Sequence, residues 1–236
     1  MPTPVLHTER LLLRPYRPDD AEDSIALLTD PDVGRFMGDG PLSAEEASAV
    51  FGRVFTKVYA NDLFDVWAVH RDGRYVGHAE IKRTEQVDGH EIIYALAKPA
   101  WGEGLGTELA GALVRYGFDT LGLPRVYATV ADANHASLAL LGRLGFVHER
   151  DIAEDDGSVS RVLVVDRAPP DTASRVGGDG TDRRGTTVVG GPAGRAGPHP
   201  VGPSTSDGTG FRDSAIRACS VSTGQGRESK GARRWV

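Results

Sequence analysis

The stretch from Glu91 to Glu108 constrains this chain more than any other. A strand runs into three alternate glycines, Gly102, Gly104 and Gly106, which run straight into a helix. The helix spans 104–121, with Leu105, Leu109, Ala112, Leu113 and Tyr116 on one face, and Gly122 and Pro124 end it. A further strand, 125–130, follows. Strand, helix and strand in this order predict one βαβ crossover. Glycines let a backbone approach a ligand with its N–H groups exposed. A helix N-terminus adds unpaired donors and the positive end of a dipole. The junction therefore reads as a site for phosphate. It has no Gly-Lys-Ser/Thr ending, as a Walker loop would, and its Gly-x-Gly-x-Gly spacing is not the dinucleotide fingerprint. Spacing alone favours a plain tight βα turn.

The flanking sequence fills in a mixed fold. A short strand at 9–14 is built around Leu11, Leu12 and Leu13. Asp19 or Asp20 then caps a helix carrying Ala21, Ile25 and Leu28, which stops at Pro31. Ser43 and Glu46 form a capping box. Behind it Ala47, Val50, Phe51, Val54, Phe55 and Val58 keep a 3.6-residue period. Strands at 63–70 and 75–83 flank an Asp72-Gly73 turn, and 91–97 follows Asp88-Gly89. A short helix at 134–144 ends at Gly145. Strands at 146–150 and 159–165 surround Asp155-Asp156-Gly157. The order β, α, α, β, β, β, α, β, α, β, β predicts an α/β (α+β mixed) fold with a mostly antiparallel sheet.

Composition divides the 236 residues in two. Residues 168–236 hold 14 Gly, 6 Pro and no Leu, with a net charge of +4. Residues 1–167 carry 17 basic and 27 acidic side chains, a net −10. The tail buries too little apolar surface to offset chain entropy, so disorder is expected there. The acidic front part disfavours nucleic acid and suits a cationic substrate. The single Cys219 rules out an intramolecular disulfide. No apolar run is long enough to cross a membrane, and residues 1–4 resemble no leader, so the expected compartment is the cytoplasm. The seven histidines show no metal-ligand spacing, and no metal is expected.

Several motifs in order resemble the GCN5-related N-acetyltransferase (GNAT) superfamily, nearest its ribosomal-protein alanine acetyltransferase (Rim) branch. They are Thr8-Glu9-Arg10-Leu11-Leu12-Leu13-Arg14-Pro15 with Asp19-Asp20-Ala21, then Thr29-Asp30-Pro31-Asp32-Val33. Next come Trp101-Gly102-Glu103-Gly104-Leu105-Gly106-Thr107-Glu108, Asn134-His135-Ala136-Ser137 and Leu144-Gly145-Phe146. Trp101 departs from the Arg/Gln that opens the superfamily loop, but is familiar in the Rim branch. The resemblance spans Leu6 to Val165 and leaves the tail without a counterpart. It implies a central sheet splayed after the fourth strand and flanked by helices. The implied cosubstrate is acetyl-coenzyme A. Its pantetheine arm would lie near Leu96 and Asn134. Its pyrophosphate would lie on the loop formed by Trp101, Gly102, Gly104, Leu105, Gly106 and Thr107.

The implied activity is acetyl transfer to an amine, either a protein N-terminus or a small molecule, by direct attack. Glu91, at the start of the fourth strand, is the implied general base, acting through water, with His90 and Glu80 as weaker substitutes; as an alternative it only sits at a strand start in solvent. Ser137 would donate to the leaving thiolate; as an alternative it only sits in a helix turn capped by Asn134. Tyr94 and Tyr127 are reserves. The resemblance allows a homodimer. The rival readings are a non-catalytic acyl-coenzyme A-binding module and, more distantly, a nucleotide-phosphate binder of another fold.

Overall fold

The computed structural model describes residues 2–37 and 40–169. The disorder expected beyond Pro169, and Cys219, lie outside the described residues. The elements are β1 (Leu6–His7), β2 (Leu12–Arg14), α1 (Ala21–Thr29), α2 (Pro31–Gly34), α3 (Ala44–Arg53), β3 (Asp65–Arg71), β4 (Arg74–Arg83), β5 (His90–Leu96), α4 (Leu105–Asp119), β6 (Arg125–Ala131), α5 (His135–Arg143), β7 (Val147–Ala153) and β8 (Val159–Asp166). One eight-stranded sheet has the order β1-β2-β3-β4-β5-β6-β8-β7. β5 and β6, joined through α4, are parallel; the other neighbouring strands are antiparallel. This is the mixed, mostly antiparallel sheet with one crossover that the sequence predicts.

Two details differ from expectation at the start. The strand expected at 9–14 begins only at Leu12, because Thr8 and Leu11 close a turn. Thr8 N–H donates to the Leu11 carbonyl at 2.9 Å, and Leu11 N–H donates to Thr8 Oγ1 at 2.9 Å. Leu6 and His7 form a separate strand, so the expected fourth strand is the fifth. The helix expected to stop at Pro31 does end at Thr29, but a second short helix starts at once. Asp30 caps it by accepting the Asp32 N–H at 2.8 Å, and Pro31 takes the first helical position, where no N–H is needed. The Ser43–Glu46 capping box forms as expected. The helical period beyond α3 continues through a π-helical stretch, Val54–Val58.

Alternation along the strands gives the sheet two different faces. Leu13, Trp67, Val69, Ala79, Ile81, Ile92, Val126 and Ala128 pack with Leu105, Leu109 and Leu113 of α4 in the main apolar core. Trp67 meets Tyr116 of α4 edge-on, with ring centroids 5.3 Å apart. The opposite face mixes Val66 and Ala68 with buried polar groups, among them His70, His78, Glu80 and Glu91. Among the described residues no helix is long and apolar enough to cross a membrane.

Candidate active site

The sheet parts between its two parallel strands. β5 and β6 pair only at Glu91 and Tyr127, at the start of β5. Beyond that vertex the strands separate towards the glycine turn. Ala97 N–H donates to the Val76 carbonyl at 2.8 Å. At Leu96, paired with Gly77, the backbone groups therefore face away from β4, and by alternation so do those of Tyr94. The edge of β5 thus presents backbone donors and acceptors to the split. One of them is already engaged: the Trp101 indole N–H donates to the Leu96 carbonyl at 2.7 Å.

The glycine turn sits at the open end of the split. Gly102 and Gly104 have φ of 80° and 78°, the left-handed region that other residues adopt at a cost. Gly104 is the N-cap of α4. The amides of Leu105 and Gly106 precede the first bonded turn and remain as donors. Thr107 differs from expectation: its N–H already donates to the Gly104 carbonyl at 3.1 Å, so only its hydroxyl is open to a ligand. Leu105 points its side chain into the core and offers only its backbone. Gly106 is helical, and a Cβ there would lie 2.8 Å from Leu140 Cδ1, so this glycine also lets α5 pack closely. Trp101, Gly102 and Gly104 are exposed.

Two arginines and a glutamate brace this turn from outside. Arg10 Nη1 donates to the Glu103 carbonyl at 2.8 Å, and Arg71 Nη1 to Glu103 Oε2 at 2.5 Å. Glu108, one turn into α4, accepts from Thr8 Oγ1 at 2.5 Å, from Arg10 N–H at 2.7 Å and from Arg10 Nε at 2.7 Å. Burial pushes the Glu108 carboxyl up, but Thr8 and Arg10 outweigh it and hold it below its ordinary value. The loop is thereby fixed to the β1–β2 turn before any ligand arrives.

Across the split, Asn134 and Ser137 begin α5. Asn134 Oδ1 accepts the Ser137 N–H at 3.2 Å, so Asn134 is a helix cap. Ser137 is half-buried. It is the polar side chain that acts on the buried Tyr94 hydroxyl. Burial pushes that phenol up to about 12, with Ser137 opposing the shift. Tyr94 packs on the α4 side of the sheet.

Glu91 lies at the start of β5, at the vertex of the split. It is 5% exposed, and both oxygens are engaged. Oε1 accepts the Thr129 N–H at 2.7 Å and Oε2 accepts the Thr84 hydroxyl at 2.8 Å. The carboxylate closes the vertex of the split, standing in for the strand partner that Thr129 lacks there. Both contacts are made within the protein, so an amine would reach this carboxylate only through an intervening water or by displacing one of them. His90 lies at the same end, and burial followed by Arg83 pushes its imidazole down.

The structure therefore gathers Leu96, the glycine turn, Tyr94, Asn134 and Ser137 around the split, and sets Glu91 at its closed end. It also reveals polar contacts that no motif announced. Tyr16 and Tyr75 join His78 and Glu80 in a buried row beneath α1 and α3. Their partners are about sixty residues apart in sequence, so only the strand alternation of β4 hinted at them. Among the described residues no three His, Cys, Asp or Glu side chains cluster to hold a metal.

A family model described as the acetyltransferase (GNAT) domain matches residues 10–147. The fold is that of an acetyltransferase domain, and the chain belongs to the GNAT family. YoaA of Bacillus subtilis, called an uncharacterized N-acetyltransferase, is 30% identical over 152 residues, which cover 62% of this chain and 84% of YoaA. YdaF of the same organism, called a putative ribosomal N-acetyltransferase, is 31% identical over 147 residues, 60% of this chain and 80% of YdaF. The fold is also that of the spermidine N-acetyltransferase from Vibrio cholerae in complex with CoA and spermine. The TM-score is 0.59 at 19% identity, covering 67% of this chain and 96% of the other.

Proposed function

We propose that this chain moves the acetyl group of acetyl-coenzyme A to a primary amine, a protein N-terminus or a small molecule, by direct attack without a covalent acetyl-enzyme. The observation that carries the reading is the alignment of the split with the start of α4. Outward-facing backbone groups at Tyr94 and Leu96 lead to open amides at Leu105 and Gly106. An extended amide-bearing arm suits the first, and a diphosphate suits the second. Asn134 and Ser137 stand on the facing side. In this reading the Ser137 hydroxyl, next to Tyr94, donates to the leaving sulfur. Attack then needs little beyond proximity and a neutral amine. The names of YdaF and of the spermidine enzyme supply the two acceptor classes.

The test is a calorimetric titration of acetyl-coenzyme A into the full chain, followed by thiol release with a panel of amines. One saturable site per chain, with thiol released only when amine is present, is the expected outcome. The absence of binding to folded protein would remove the reading. The engaged carboxylate of Glu91 favours one alternative, an acyl-coenzyme A-binding module without turnover. Binding with no thiol release across the panel would decide for it.

A further inference from the structure

Four side chains form a hydrogen-bonded row on the sheet face beneath α1 and α3. Tyr75 Oη lies 3.0 Å from Tyr16 Oη, Tyr16 Oη lies 2.8 Å from His78 Nδ1, and His78 Nε2 lies 3.0 Å from Glu80 Oε1. Tyr16, His78 and Glu80 are buried, and Tyr75 is half-buried. The same face is filled by Val54, Val58, Val66 and Ala68 close by, so packing alone does not require polar groups here. A buried polar row that could be apolar is costly to retain and calls for a use.

The row has a direction. Burial raises the Glu80 carboxyl, but the Lys82 ammonium, 2.7 Å from its second oxygen, and His78 bring it down to about 2. An ionised carboxylate can only accept. His78 therefore donates from Nε2 to Glu80, and in the neutral imidazole this leaves Nδ1 as the acceptor that faces the Tyr16 hydroxyl. The Tyr16 oxygen in turn accepts from Tyr75. With that tautomer both hydroxyls can turn their protons towards His78, and Glu80 holds the imidazole in the form that can receive one.

The row also opens on space. A cavity of about 20 Å³ is lined by residues including Tyr16, Ser24, Phe51, Val54, His78 and Glu80. That is room for one water or for the head of an ammonium group. Its position matters as much as its size. His78 pairs across the sheet with Ala95, the neighbour of Leu96, so the row stands one strand from the split and level with its open part. Glu91 lies four residues further back along β5, about 13 Å at the usual strand rise.

The geometry points to Tyr16 and His78 as the proton acceptor for the amine, with Glu80 as the positioning residue that holds the imidazole. This rests on the acetyltransferase reading above. The ammonium N–H bond breaks as its proton passes to the Tyr16 oxygen, while the Tyr16 proton passes to His78 Nδ1. The amine keeps the electron pair and attacks the thioester carbonyl carbon, and the carbon–sulfur bond breaks. The departing sulfur takes a proton from the Ser137 hydroxyl, which takes the second amine proton in its place. The products are the amide, the free thiol and an imidazolium beside Glu80, which returns its proton to water. Lys82 already occupies the other oxygen of Glu80, so that carboxylate supports His78 rather than meeting the amine itself.

The experiment uses the full chain, with spermine and an alanine-first peptide amide as amine probes, and reads thiol release and calorimetric acetyl-coenzyme A affinity in the same samples. His78→Gln is expected to lower kcat about 10²-fold with the acetyl-coenzyme A Kd unchanged. Imidazole in the buffer is expected to restore part of the kcat of His78→Ala. Tyr16→Phe keeps the ring against Phe51, so it tests the hydroxyl without opening the core. It is expected to lower kcat about tenfold. Wild-type kcat in Tyr16→Phe and His78→Gln would overturn the relay alone. So would parallel loss of kcat and acetyl-coenzyme A affinity without imidazole rescue. Failure of the wild-type chain to bind acetyl-coenzyme A would remove the acetyltransferase reading and the relay together.

Discussion

Glu91 illustrates what a residue's type conveys and what it leaves out. An acid at the start of a strand, ten positions before Trp101, is legible in the sequence, and the resemblance gives it a catalytic task. Its partners are not legible, because Thr84 and Thr129 approach it from two other segments. Bonded on both oxygens, it acts as a strut across the vertex of the split. The two roles part on substitution. Glutamine can still accept the Thr129 N–H and can donate to the Thr84 oxygen, so Glu91→Gln is expected to keep kcat within about threefold and to fold normally. Alanine leaves the Thr129 N–H without its acceptor. Glu91→Ala is expected to lose about 2–3 kcal/mol of stability in urea unfolding. A folded Glu91→Gln chain with kcat reduced by about 10²-fold would return the residue to the role of base.

At the scale of elements, the signals that the sequence carries plainly are those written in one short segment. The Ser43–Glu46 box, the Asp72-Gly73 turn and the helix ending before Gly122 each rest on local chemistry, and each appears where the pattern sets it. The break between β1 and β2 is less visible, since it depends on Glu108 reaching back across about a hundred residues to Thr8 and Arg10. The glycine turn combines both kinds of signal. Its left-handed backbone follows from Gly102 and Gly104, while its fixed position follows from Arg10 and Arg71. Gly104→Ala isolates the first. The added methyl meets nothing closer than Arg10 Nη2 at 3.7 Å, so any effect comes from backbone conformation. The left-handed conformation costs about 1–2 kcal/mol for a residue with a Cβ. If the turn relaxes to avoid that cost, its amides move. Acetyl-coenzyme A affinity is then expected to fall about tenfold by calorimetry. Unchanged affinity with a lowered Tm would mean that the turn is only structural.

For the whole molecule, acid is the condition that acts on the buried charges together. Burial opposes ionisation of Glu80, Asp20 and Glu108, yet their partners hold all three below their ordinary values. A carboxyl depressed in the folded state stabilises fully above its unfolded value and loses that contribution as pH falls through the folded one. For Glu80 the window runs from 4.5 down to about 2. Its share is of the order of 3 kcal/mol. Urea unfolding of the full chain is therefore expected to weaken steadily below about pH 4.5, and the slope is expected to flatten in Glu80→Gln. The same scale decides what the leucine-free segment contributes. Within the described residues β8 pairs with β6 on one side and with the edge strand β7 on the other, and Arg167 N–H donates to the Pro124 carbonyl at 2.8 Å. Among the described residues the apolar core and the split are built from residues up to Val165. We propose that a chain ending at Pro169 folds and binds acetyl-coenzyme A as the full chain does. A Tm lowered by more than about 4 °C would correspond to over roughly 1 kcal/mol in a domain of this size. Such a drop, or a weakened Kd, would assign the tail a structural part that its composition does not suggest.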